Sequence, residues 1–218
     1  NADTPLHPAS LTKMMTLYLA FAAVEQGRVR LDELISGRYP LDQINENNVS
    51  GLALAWAYSA PPIRLKRNGW WGNAAVGLCY EGLPWFTAAA VMLGTLPDAR
   101  VVLLALIYSA GAHGIMTLND FKSVEGDRRM GVGSLPVRLG VSGAARVACA
   151  VMAIAQVVVI ALLVAWGAPL HAAAIAALLV VQLGMMARLL RRPSELDYWY
   201  NATGVPLYVA GMLVSAFA

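Results

Sequence analysis

Two aspartates, Asp120 and Asp127, stand seven residues apart in the stretch GAHGIMTLNDFKSVEGDRRMGVGSLPVRLG, residues 111–140. Asn119 precedes the first, and Arg128 and Arg129 follow the second. The pair closes an apolar run of membrane length. Mg²⁺ takes carboxylates, waters and phosphate oxygens, and acids beside a membrane span are rare unless they are paired or functional. The chemistry indicated is Mg²⁺-assisted handling of a diphosphate at a membrane surface. If the stretch stays helical, Asp120 and Asp127 lie two turns apart on one face. Glu125 then points elsewhere, unless Gly126 breaks the helix. The alternative, two solvated loop acids, stays open at this level.

Three other places carry polar chemistry. Arg64, Lys66 and Arg67 form a basic segment able to neutralise phosphate charge, although loop cations also set membrane topology. Glu81, in CYEGLPW, falls inside an apolar run, where an ionisable group normally faces the bundle interior. Pro84 follows it, so a kink lining a cavity and a structural hydrogen bond are both open readings. His113 lies two turns before Asp120 on the same face. It could contact a substrate or a chelated Mg²⁺, but an interhelical hydrogen bond is the reading the position favours.

The elements that must hold these residues are membrane helices. The 218 residues are 58% hydrophobic and 13% charged, whereas a soluble domain carries about 25% charge. Apolar runs long enough to cross a bilayer cover residues 72–93, 101–118, 147–166, 170–187 and 201–218. Residues 14–24 are apolar but too short, and residues 51–60 read as the last turns of a helix. No secretory signal pattern is visible. Cys79 and Cys149 fall in spans and read as small apolar residues rather than disulfide or zinc partners. Gln156 is expected to bond between helices, and methionines such as Met152, Met185 and Met186 to pack. A net charge of +3 gives no reason to expect nucleic acid.

The distribution of charge is more informative. Arg64, Lys66 and Arg67, then Lys122, Arg128, Arg129 and Arg138, then Arg188, Arg191 and Arg192 occupy alternate loops. The opposite loops hold only Arg100. The positive-inside rule puts the basic loops in the cytoplasm, and the acidic segment with them.

At these residues the chain resembles a known family. WAYSAPPIRLKRNGWWGNAAVGLCYEGLPWFTAAAV and GAHGIMTLNDFKSVEGDRRMGVGSLPVRLG resemble the chlorophyll and bacteriochlorophyll synthases, members of the UbiA-type intramembrane prenyltransferases. LKRNGWWGN, CYEGLPWFT and NDFKSVEGD are the specific motifs, and the resemblance runs from about residue 51 to residue 218. It implies an all-α polytopic transmembrane helical bundle, of nine spans in the family and N-terminally incomplete here. It implies an integral protein of a bacterial inner or intracytoplasmic membrane with its active-site loops in the cytoplasm. It implies transfer of a geranylgeranyl or phytyl group from its diphosphate to the propionate carboxylate of bacteriochlorophyllide, with Mg²⁺ as cofactor. Asn119, Asp120 and Asp127 match the family's second Asp-rich motif, with Asp120 and Asp127 as metal ligands. Tyr58 through Arg67 match its tyrosine-and-basic segment, so the resemblance places Tyr58, Arg64, Lys66 and Arg67 near the diphosphate. Lys66 is expected to act catalytically beside the two aspartates. Glu81, His113 and Arg128 complete the expected substrate contacts.

The chain departs from that pattern before residue 51. LDQINENNVSG, residues 41–51, holds Asp42, Asn45 and Glu46 but not the leading Asn-Asp of the family's first motif. GRYPLDQINENNVSGLALAW also resembles the opening of quinoprotein alcohol dehydrogenases. Residues 1–37 resemble the active-site segment of D-Ala-D-Ala carboxypeptidases, with Ser10 and Lys13 in an S-x-x-K motif that normally opens a helix. Neither the S-x-N nor the K-T-G element follows. The division expected is an atypical segment over 1–50, chimeric in one reading, and a membrane domain over 51–218. An inactive half-bundle that binds tetrapyrrole or prenyl lipid is the rival to the enzyme, and a serine carboxypeptidase fragment the weakest reading.

Overall fold

Helices α1 and α2 show how the chain answers a proline inside a membrane-length run. α1 is Gly69–Gly77 and α2 is Leu83–Leu93. A π-turn, Leu78–Gly82, joins them without a break in the helical path. Pro84 has no N–H to give to the helical ladder. The turn before it widens, and the Leu83 N–H bonds the Leu78 carbonyl five residues back. Single π-turns of this kind are common at functional sites, and Glu81 lies in this one. The structure is a computed structural model and describes residues 56–218. The expected short helix at Ser10–Gly27, the S-x-x-K residues, and Asp42, Asn45 and Glu46 lie outside the described residues.

Four of the remaining described helices exceed twenty residues, and a short one links two of them. α3 is Ala99–Asn119, and Asp98 caps it by accepting the N–H groups of Arg100 and Val101 at 2.9 and 3.0 Å. A 3₁₀ turn, Asp120–Ser123, and a short helix α4, Val124–Arg129, follow. α5 is Leu135–Ala165, interrupted at Gly140, whose φ of 70° only glycine adopts freely. α6 is Pro169–Leu189 and α7 is Pro193–Ser215. Among the described residues there is no β-strand, only an isolated backbone bridge. Among the described residues three helical stretches, beginning at Ala99, Leu135 and Pro169, are long and apolar enough to cross a membrane, and the runs expected at 72–93 and 201–218 are not among them. The chain is an integral membrane protein.

The runs expected at 101–118 and 170–187 coincide with α3 and α6 within two residues at each end. The span expected to begin at residue 201 belongs to a helix that starts at Pro193, because a proline at the first turn opens a helix without loss. Glu195 and Asp197 hid that start from an apolar count.

The core is an α3–α5–α6–α7 bundle. Small residues let α3 and α5 meet backbone to backbone, since a Cβ at Gly114 would overlap the Ala148 carbonyl. Lipid offers no hydrophobic drive between helices, so close packing and buried hydrogen bonds hold them. Gln156 Nε2 donates to Gln182 Oε1 at 2.6 Å, and Gln182 Nε2 donates to Tyr200 Oη at 3.0 Å and to the Gly204 carbonyl at 3.2 Å. The expected interhelical role of Gln156 is thus a stitch across α5, α6 and α7. A second stitch joins α3 to α7. Tyr208 Oη donates to the Tyr108 carbonyl at 3.0 Å, and Tyr108 Oη lies 2.7 Å from Ser215 Oγ. Met152 and Met186 are buried in this core, as expected of packing residues.

Gly114→Val should therefore lower the thermal midpoint in detergent, at an overpacking cost of about 1–3 kcal/mol. Gly184→Ala, where an added Cβ meets nothing within 4 Å, should leave it unchanged or raise it by the helix-propensity difference of about 0.5–1 kcal/mol.

Candidate functional site

At the end of α3 the helix hands its last polar groups to α1. Asn73, buried on the second turn of α1, donates from Nδ2 to Asp120 Oδ2 at 3.0 Å and to Thr117 Oγ1 at 3.1 Å. Thr117 Oγ1 donates its own hydrogen to the His113 carbonyl at 2.9 Å. The hydroxyl must then accept from Asn73, as the Asp120 carboxylate must. The orientation of the Asn73 amide follows from its two partners.

The stretch from Asp120 to Asp127 is not one continuous α-helix. The chain tightens into the 3₁₀ turn at Asp120 and restarts at Val124. Ser123 makes the break, because its hydroxyl competes for local backbone groups. Ser123 Oγ lies 3.0 Å from the Asp120 carbonyl and 3.0 Å from Asp127 Oδ2. The two acids are thus linked through a serine at a break rather than by two regular turns. Glu125 takes no part in that link. It is exposed and pairs with Arg128 and Arg129 at 3.7 and 3.1 Å, so the Arg128 side chain is engaged by Glu125.

The basic segment reaches the same place through the backbone. Arg64 sits at φ 43°, ψ 57° before the 3₁₀ turn Leu65–Arg67. Asn68 then caps α1 by accepting the Trp70 N–H at 3.0 Å. Gly69 N–H donates to the Gly133 carbonyl at 2.8 Å, and Gly133 N–H donates to the Arg67 carbonyl at 3.0 Å. These two bonds clasp the loop before α1 to the loop before α5. Gly69 leaves no room for a side chain, and Gly133 leaves little. A Cβ at Gly69 would meet the backbone of Ser134 and Leu135, and one at Gly133 would meet the Arg67 carbonyl. Lys66 is half-buried, whereas Arg64 and Arg67 are exposed. Among the described residues no ion pair ties these three to the aspartates.

Tyr58 faces the acids electrostatically. Burial pushes its phenol up from the ordinary value, and the carboxylates of Asp120 and Asp127 push it the same way. It stays a neutral hydrogen-bond donor at physiological pH, the form that suits a neighbouring anion.

The remaining expected residues fall at different depths. Asn119 is half-buried and ends α3 immediately before Asp120. His113 is buried, its ring centroid lies 5.6 Å from that of Trp70 on α1 at a 30° tilt, and its Nδ1 lies 3.5 Å from Thr117 Oγ1. Glu81 lies eight residues beyond Asn73, about 12 Å further along the helical path at 1.5 Å per residue. That depth separates it from the aspartates. Asn73, Thr117 and Ser123 were not singled out from the sequence. Asn73 left a signal, since an amide in an apolar helix needs a partner, and it closes the motif LKRNGWWGN. Ser123, between two acids in a charged loop, left none.

Chemically, the site offers two carboxylates, each hydrogen-bonded to a neutral side chain. Mg²⁺ is commonly bound by one or two carboxylates with the rest supplied by water and phosphate oxygens, so the donor set fits that ion. Among the described residues no group of three or more His, Cys, Asp or Glu side chains gathers for a metal.

The sequence profile of the UbiA prenyltransferase family matches residues 48–202. The chain belongs to that family. Its similarity to individual members is high. It is 62% identical over 170 residues to the bacteriochlorophyll synthase 33 kDa chain of Cereibacter sphaeroides, which covers 78% of this chain and 56% of that protein. It is 49% identical over 166 residues to the bacteriochlorophyll synthase 34 kDa chain of Chloroflexus aurantiacus, covering 76% and 53%. It is 43% identical over 172 residues to the chloroplastic chlorophyll synthase of Arabidopsis thaliana, covering 78% and 44%. The chain spans about half the length of the curated relatives it matches. No solved structure matches it. The UbiA match includes Tyr58, the basic segment, Asn73, Asp120 and Asp127.

Gly69→Val should part the clasp. Two backbone hydrogen bonds contribute about 1 kcal/mol each, so tryptic cleavage at Arg64–Arg67 should accelerate by about tenfold or more. Gly126→Ala, where a Cβ meets nothing within 4 Å, should leave that rate unchanged.

Proposed function

We propose that this protein transfers a geranylgeranyl or phytyl group from its diphosphate to the propionate carboxylate of bacteriochlorophyllide. The observation that carries the reading is the placement of Asp120 and Asp127 at the end of a membrane-length helix, each held by a neutral hydrogen-bonding side chain. It is supported by similarity to proteins named bacteriochlorophyll synthase and chlorophyll synthase. Residues 51–218 form the prenyltransferase domain in this reading.

Asp120 and Asp127 would hold Mg²⁺, whose charge would bind the diphosphate and stabilise it as it departs. Lys66, Arg64 and Arg67 neutralise the remaining phosphate charge, and the Tyr58 phenol donates to a phosphate oxygen. Asn119 and Arg128 flank the aspartates. The allylic C–O bond breaks with its electron pair passing to the diphosphate. A propionate oxygen then forms the ester bond to that carbon. The propionate is ionised at neutral pH, so no strong base is needed. The apolar helices take the prenyl tail, and Glu81 and His113 lie on the path that enters the bundle. Excluding water there protects the allylic carbon from hydrolysis. The basic loops face the cytoplasm of a bacterial inner or intracytoplasmic membrane, as the positive-inside rule directs.

The test is ester formation from bacteriochlorophyllide and geranylgeranyl diphosphate by the chain in detergent with Mg²⁺. Asp120→Asn should reduce the rate by about 100-fold or more, the scale of removing one preorganised electrostatic group. Transfer at the unaltered rate in Asp120→Asn would overturn the site. Pigment bound without any ester formed would instead favour a tetrapyrrole-binding role.

A further inference from the structure

We infer that Asn73 is the positioning residue of the metal site: its amide fixes the Asp120 carboxylate so that one oxygen is left for the cation. The inference rests on the diphosphate site proposed above and deepens it. Both amide hydrogens of Asn73 are committed, one to Asp120 Oδ2 and one to Thr117 Oγ1. The partners leave no choice of orientation, because Thr117 spends its hydrogen on the His113 carbonyl and a carboxylate only accepts. Asn73 therefore holds Oδ2 by a neutral donor, and Oδ1 is the oxygen free to ligate. A cationic donor in its place would compete with the metal. A neutral one holds the carboxylate without discharging it.

The surroundings keep this donor from drifting. Asn73 is buried on a helix whose start is clasped to the loop before α5. Trp70, one turn before it, lies against the ring of His113 on α3. Thr117 is fully buried, one turn before Asp120. The carboxylate is thus referenced to two helices at once, although it stands at the start of a 3₁₀ turn where the chain has left regular α-helix. A hydrogen-bonded partner behind a metal ligand typically contributes 10- to 100-fold in metal affinity.

The experiment is Mn²⁺ binding to the full chain in detergent, with inorganic pyrophosphate present, followed by the loss of the free-ion EPR signal. Asn73→Leu, close in size and without donors, should weaken Mn²⁺ binding by about tenfold or more. Asn73→Ser should do the same if the larger apolar side chain is not accommodated. Gln156→Leu breaks a buried amide stitch elsewhere in the bundle. It should lower the thermal midpoint and leave the Mn²⁺ affinity unchanged, which separates positioning from general support of the fold. Unaltered Mn²⁺ affinity in the Asn73 variants would overturn this inference alone. A wild-type chain that binds no Mn²⁺ would overturn the metal site and this inference together.

Discussion

The basic end of the molecule depends on how closely the loops before α1 and α5 approach. Two backbone hydrogen bonds, at Gly69 and Gly133, set that distance, and no side chain larger than hydrogen fits at Gly69. The clasp fixes the start of α1 against the start of α5, and hydrogen bonds from Asn73 tie α1 to the end of α3. The clasp also delivers Lys66 and Arg67 to the same end of the bundle. The site is therefore organised by backbone geometry before any charge is considered. This ordering suits a membrane protein, because an unpaired polar group there costs several kcal/mol.

The described helices divide their polar groups by depth. Deep in the bundle, Gln156, Gln182, Tyr200, Tyr108 and Tyr208 bond to one another and to backbone carbonyls. They hold α3, α5, α6 and α7 together where lipid cannot. At the basic end, Asn73 donates to the Asp120 carboxylate and Ser123 lies against that of Asp127, while Thr117 accepts from Asn73 and donates to the His113 carbonyl. Asp120 and Asp127 have no cationic side chain bonded to them among the described residues. Glu125 shows the contrast, since it is exposed and saturated by two arginines. Both carboxylates are held by neutral donors, Asp120 by the Asn73 amide and Asp127 by the Ser123 hydroxyl.

Much of this was legible in the residues. Apolar length located α3 and α6 closely, because hydropathy and helical structure end at the same residues there. It misjudged α7, whose first turns carry Glu195 and Asp197 while Pro193 starts the helix. Asp120 and Asp127 were legible as a pair from charge next to an apolar run. The manner of their pairing was not, since it runs through the Ser123 hydroxyl at a helix break. Asn73 was legible only as part of a motif, because its significance lies in a contact with a residue 47 positions away. Glu81 was legible as unusual, and the π-turn that carries it follows from Pro84 three residues later. The aspartate, asparagine and glutamate at positions 42, 45 and 46, read as the tail of a first acidic motif, lie outside the described residues.

Anomalous diffraction from crystals of the chain grown with Mn²⁺ and pyrophosphate tests the central claim most directly. The account predicts a manganese peak bound by Asp120 and Asp127, with pyrophosphate oxygens completing its coordination. A manganese peak elsewhere, at Glu81 or at Asp197 for example, with none at the two aspartates, would contradict it.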